Sequence, residues 1–181
     1  MALALLPWAA SAQNGSKYIP IRLHSGSNLI PNIAGDGRTG TISLSWRDNG
    51  NAWGYDVFTV AVSGSIATID GRDNLTDQPH TGEDTIKSVR FARAALRGRT
   101  TTFALIADRR ILNSVPEAAD TTVSIYALVQ NDTGTGTPYE FVLIKKYQTR
   151  RTYCNAEMAL KTELGLPLSR SYQGPKSVNG C

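Results

Sequence analysis

Residues 41–62, TISLSWRDNGNAWGYDVFTVAV, constrain the fold more than any other stretch. Two alternating runs flank Asn49-Gly50, a dipeptide suited to a type I′ turn because both positions tolerate φ > 0. With those two residues as the turn, Trp46 faces Trp53, Leu44 faces Tyr55 and Ile42 faces Val57. One face of the hairpin then carries an apolar cross-strand ladder. The other carries Arg47, Ser45 and Ser43, with Asp56 opposite Ser43. The expected hairpin is a rigid core element with Trp46 and Trp53 on its buried face.

More strands follow. Residues 17–24 alternate, and Pro20 places them at a sheet edge. Residues 25–40 read as turns around Gly35-Asp36-Gly37, and Gly64-Ser65 marks a second reversal before residues 66–69. Residues 70–84 read as a polar loop. The segment 84–97 fits two descriptions. Thr81 with Asp84 resembles a capping box, and Ile86, Val89, Ala92 and Leu96 recur at helical spacing. A turn at Arg97-Gly98-Arg99 would instead pair the segment with the strand at 100–108, and a continuous antiparallel sheet favours that hairpin. Residues 121–130 and 139–148 are strands. Residues 155–164 are the best helix, with Asn155 as N-cap and Gly165 as terminator. The fold class is mainly β: a single antiparallel domain over residues 13–181, a sandwich or strongly curved sheet, with one C-terminal helix.

Residues 1–12 are apolar and end in Ala10-Ser11-Ala12, a small-x-small cleavage pattern before Gln13. They are too short to span a bilayer, and no later run reaches that length. The usual basic start of a leader is missing, so the true start codon is expected upstream. The expected location is the periplasm or outside the cell. Two cysteines, Cys154 and Cys181, are too few for a zinc site. In an exported chain they pair and close the C-terminal tail onto the domain; in a cytosolic chain they would stay free thiols.

The net charge is +4, spread over scattered arginines rather than a patch interleaved with stacking aromatics. Nucleic acid is therefore not an expected partner. Asn32 to Gly37 has the outline of a calcium loop, but Asn32 and Ala34 stand where anionic ligands belong. A glycine-rich turn accounts for it better, and neither a metal nor a cofactor is expected. His24 and His80 sit in no triad or metal spacing, and no Gly-x-Ser-x-Gly elbow occurs. The reading is non-enzymatic. The candidate ligand-binding residues are at the hairpin tip: Arg47, Asp48, Asn49, Asn51 and the flanking Trp53. Arg47 suits a ligand carboxylate because its fork binds two oxygens. A tryptophan pair in the core under a polar turn explains the same residues without a ligand.

Residues 25–62 combine an Asn-led turn, Gly-Asp-Gly, an alternating strand, Arg47-Asp48-Asn49-Gly50-Asn51-Ala52 and an aromatic-rich strand. This pattern resembles the CarG-type carbapenem intrinsic-resistance proteins. The resemblance implies an exported β-rich protein that protects against a carbapenem without hydrolysing it, so that the partner is a small β-lactam. The residues before Asp36 are less acidic than in that group, which argues against a metal-dependent role. Two other classes remain open: a periplasmic inhibitor or immunity protein binding an attacking enzyme, and a secreted hydrolase whose site is assembled from distant loops.

Overall fold

The computed structural model describes residues 16–50, 54–78 and 85–181. Expectations that rest on the leader, on Asn51 and Trp53, on His80 and on the Thr81/Asp84 box lie outside those residues. The chain enters through a short edge strand, β1 (Ile19–Pro20), far shorter than the alternation at 17–24 suggests. Next comes β2 (Gly26–Ile30), in a segment expected to be only turns. The strand forms because Asn28 is buried and turns its polar side chain to use. Its amide donates to the carbonyls of His24 and Ile42 at 2.8 and 3.1 Å, and its Oδ1 accepts from the His24 amide at 2.9 Å.

The hairpin is present as β3 (Gly40–Arg47) and β4 (Tyr55–Val62), but its register differs from expectation. Trp46 pairs with Asp56, Leu44 with Phe58, Ile42 with Val60 and Ser43 with Thr59. The reason lies in the connection. Gly50 has φ +71°, whereas Asn49 is not in the left-handed region, so the two do not form a type I′ turn. Asp48 Oδ1 instead accepts the Gly50 amide at 2.7 Å, an Asx turn inside a wider loop. The register moves by an odd number of residues, so β4 presents its opposite face to the core. Phe58, Val60 and Val62 are buried, while Tyr55 and Val57 lie on the outer side. Trp46 is not a core residue: it is 53% exposed. Its indole lies over Gly54, where a Cβ would fall 2.3 Å from the ring.

Beyond the hairpin the chain divides between two sheets. β5 (Ser65–Ile66) pairs with β4, but β6 (Thr68–Ile69) leaves and pairs in parallel with a later strand. After Asp70-Gly71, with φ +47° and +72°, β7 (Leu75–Thr76) returns to β4. Then β8 (Lys87–Leu96), β9 (Arg99–Arg109), β10 (Thr121–Gln130) and β11 (Tyr139–Gln148) form an antiparallel meander. The segment at 84–97 is thus a strand from Lys87 to Leu96. Arg97-Gly98, with φ +49° and +80°, makes the two-residue turn whose twist matches paired strands.

The result is two stacked sheets. One has the order β2-β3-β4-β5 with β7 beside β4; the other has the order β1-β8-β9-β10-β11-β6. The meander has two apolar faces. Phe91, Ile106, Tyr126, Leu128 and Phe141 pack against Ile42, Phe58, Val60 and Val62 of the first sheet. Residues of opposite parity, among them Phe103, Leu105, Val123 and Ile125, pack against α1 (Ala156–Leu164). Asn155 accepts the Glu157 amide at 2.8 Å as N-cap, and Gly165 ends the helix at φ +70°. Cys154 and Cys181 form a disulfide that ties the tail beside this helix. No helix among the described residues is long and apolar enough to cross a membrane.

Candidate functional site

At one end of the sandwich the two sheets part around a cleft of about 520 Å³. Its walls follow from the register. Leu44 and Phe58, directly opposite each other on the β3–β4 hairpin, form one apolar wall, and Val89 and Phe91 of β8 form the other. The next pair toward the hairpin tip on that face is Trp46 and Asp56. Directly opposed residues project to the same face, so the exposed indole stands next to Asp56, a cleft residue. This is an amphiphilic concavity, with apolar walls and about as much polar as apolar lining.

The most unusual of those groups is Asp77, just past β7. Its Oδ1 accepts the Asp56 amide at 2.8 Å, and its own amide donates to the Asp56 carbonyl at 3.3 Å. The side chain is only 9% exposed. Burial pushes its carboxyl up to about 8, with the negative charges of Asp56 and Glu157 adding to the effect and the Asp56 amide and Lys87 opposing it. At neutral pH Asp77 therefore mainly keeps its proton and can donate a hydrogen bond. Arg90 lies where the cleft rounds the edge of β8. It pairs with Glu157 at 3.4 Å and donates to the Pro167 carbonyl at 3.4 Å. Glu157 also accepts the Ser169 amide at 3.1 Å, so the helix and the disulfide-tied tail hold this rim in place. The cleft thus offers an apolar floor, a neutral donor and an anchored ion pair. Among the described residues, no group of three or more His, Cys, Asp or Glu side chains is placed to hold a metal.

Of the candidate tip residues, Arg47, Asp48 and Asn49 fall among the described residues, and none of the three lines this cleft. Arg47 points to the opposite face of the hairpin and stacks on Tyr55, with its Cζ 5.6 Å from the ring centroid. Asp48 caps the Gly50 amide, and Asn49 is exposed. The wall residues Leu44, Phe58 and Asp77 were not among the expected site residues. The expected register turns β4 over and so directs Phe58 away from the core, and Asp77 lies in a stretch that reads as loop.

The Gly-Asp-Gly loop turns out to be a hydrogen-bonded brace. Asn32 Oδ1 accepts the Gly37 amide at 2.7 Å and Asp36 Oδ1 the Arg38 amide at 3.1 Å. Tyr139 donates to Asp36 Oδ2 at 2.5 Å and accepts from Arg38 Nη1 at 2.6 Å. Partial burial raises the Asp36 carboxyl, but the Tyr139 hydroxyl, nearby backbone amides and the Arg38 charge outweigh it and hold the group below its usual range. These oxygens pin the loop to β11.

No family model matches this chain, and neither does any curated protein. Among solved structures, the crystal structure of CarG superposes with a TM-score of 0.62, covering 78% of this chain and 93% of that one, at 18% sequence identity. The arrangement of two splayed antiparallel sheets with a C-terminal helix is therefore a CarG-like fold.

Proposed function

We propose that this chain is an exported, non-enzymatic binding protein that protects against a carbapenem-type β-lactam by holding it in the cleft between the sheets. The observation that carries the reading is the coincidence of a CarG-like fold with an amphiphilic cleft at the base of the hairpin. The ring system of such a ligand suits the apolar walls at Leu44, Phe58 and Phe91, and a ligand carbonyl suits the protonated Asp77. Arg47, Asp48, Asn49, Asn51 and Trp53 contribute ligand contacts. Arg47 exchanges its contact with Tyr55 for the ligand carboxylate, which its fork can bind through two oxygens. Export is supported by the Cys154–Cys181 disulfide, a bond that persists in oxidising compartments, and by the apolar residues 1–12 with their small-x-small end.

The test is calorimetric titration of the protein with a carbapenem, followed by mass analysis of the recovered drug. The expected result is saturable binding with the drug recovered intact, and a host strain expressing the protein should survive carbapenem exposure. Turnover of the drug would replace this reading with the hydrolase. Absence of binding, together with capture of a cell-wall hydrolase, would replace it with the inhibitor.

A further inference from the structure

Residues 69–78 do more than connect two strands. They leave β6 at one side of the six-stranded sheet, beside β11, and reach β8 at the other, where Gln78 bridges Lys87 with two backbone hydrogen bonds of 2.8 and 2.7 Å. The segment therefore arches across the end of that sheet. Beneath it lies a second cleft of about 580 Å³, and Leu75 to Gln78 stand between it and the first.

The floor of this second cleft is built by register. Lys87, Asp108, Thr122 and Gln148 line up across β8 to β11, and Ile106, Ser124 and Lys146 form the next row. On β10 the same face continues into Tyr126 and Leu128, which belong to the apolar core. Two rows that could have extended that core are instead mostly polar. Most of their carboxylate neighbours are already engaged. Tyr126 donates to Asp70 at 2.7 Å, and Arg110 donates to Asp120 at 2.8 Å. Asp108 stands directly across from Lys87. Four cations (Arg72, Lys87, Arg110, Lys146) meet three carboxylates in the lining, so one positive charge is left over. Among the described residues, Lys87, Lys146 and Arg72 have no ion-pair partner, and of these Lys146 lies directly across from Ser124. Ser124 is only 8% exposed, lines the cleft, and makes no side-chain hydrogen bond. Its hydroxyl opens into the cleft with no protein partner, and its place directly across from a lysine suits an anion.

We propose that this second cleft binds an oxyanion group, the phosphate or carboxylate of a small hydrophilic molecule, on Ser124, Lys146 and Arg72. Ser124 and Lys146 are directly opposed on β10 and β11, which puts their Cβ atoms about 5 Å apart. The hydroxyl donates from the floor, the ammonium supplies charge from the side, and the Arg72 fork closes over two oxygens from the arch. The Tyr126–Asp70 bond holds the arch at the height this requires. The site is distinct from the cleft assigned to the β-lactam and stands or falls separately from it.

The test is a ¹H–¹⁵N NMR titration of the full chain with inorganic phosphate, with glucuronate, and with glucose as the neutral arm. Saturable shifts at the Thr122, Ser124 and Lys146 amides are expected with an anion and not with glucose. Saturation by phosphate alone or by glucuronate alone identifies which oxyanion the site takes. Ser124→Ala and Lys146→Gln should each weaken binding roughly tenfold while leaving the melting temperature unchanged. Lys146 is exposed, so its variant keeps the test readable if removing the buried hydroxyl alters packing. Linear shifts spread over the basic surface, an equal response to glucose, or unchanged affinity in both variants would overturn the proposal.

Discussion

Replacing Asp77 by Asn isolates one proton inside the candidate cleft. In the folded chain this carboxyl titrates at about 8; in the unfolded chain it should titrate near 3.9. Between those values the folded state holds a proton that the unfolded state has released, so stability must fall as pH rises. The favourable contribution is fully present below about pH 4 and is lost through about pH 8. Linkage over the interval from pH 5 to pH 8 gives a loss of about 4 kcal/mol for the full shift, and at least about 2 kcal/mol once water in the cleft screens the charge. The Asn variant keeps an Oδ1 acceptor for the Asp56 amide and carries no charge at any pH. Urea unfolding of both proteins at pH 5, 6, 7 and 8 reads the difference directly. The variant should match the wild type within about 1 kcal/mol at pH 5 and exceed it by at least about 2 kcal/mol at pH 8. Groups remote from Asp77 are the same in both proteins and cancel in the comparison. Parallel pH profiles would refute the assignment and make Asp77 an aspartate that stays ionised in the folded chain.

Three further outcomes follow from the same structure. Replacing both Cys154 and Cys181 by Ser should cost about 3–4 kcal/mol, the chain-entropy value for a separation of 27 residues, and reduction of the wild type should lower its melting temperature to the variant's. Gly54→Ala should push the Trp46 indole off the backbone and shift its fluorescence with little loss of stability, and the shift should vanish in a Gly54→Ala, Trp46→Phe double variant; an unchanged spectrum would mean that the ring does not rest there. Tyr139→Phe removes the donor to Asp36 and should cost about 1–3 kcal/mol at pH 7. Because Asp36 is held below its usual range, that loss should shrink as pH falls below about 4, as read by unfolding at pH 3 and pH 7.

The meander was legible because its cues are local. Arg97-Gly98 is a turn dipeptide between two alternating runs, and strands β10 and β11 have the bounds their alternation suggests. Helix α1 was legible from its caps. The first hairpin was legible as an element but not in its register, since Asn49-Gly50 favours a two-residue turn and nothing in the pattern reports that Asp48 caps Gly50 or that Gly54 gives the indole a flat backbone to lie on. The candidate cleft was the least legible part. Leu44, Phe58 and Phe91 look like ordinary core residues, and they line a cleft only because two sheets separate at that end. Asp77 acquires its character from burial by the tertiary fold, with Asp56 and Glu157, 21 and 80 positions away in the chain, adding to it. Ser124 is similar, since an alternating strand does not reveal which of its small polar residues lies beneath a distant arch.

The central claim is that the inter-sheet cleft is the ligand site. It is tested most directly by mapping carbapenem-induced amide shifts by NMR on the ¹⁵N-labelled chain under conditions in which the drug stays intact. Saturable shifts are expected at Leu44, Trp46, Asp56, Phe58, Asp77, Val89 and Phe91, with the second cleft around Ser124 undisturbed. Shifts confined to the outer face of the hairpin or to the β11 edge, or no shifts at millimolar drug, would contradict it.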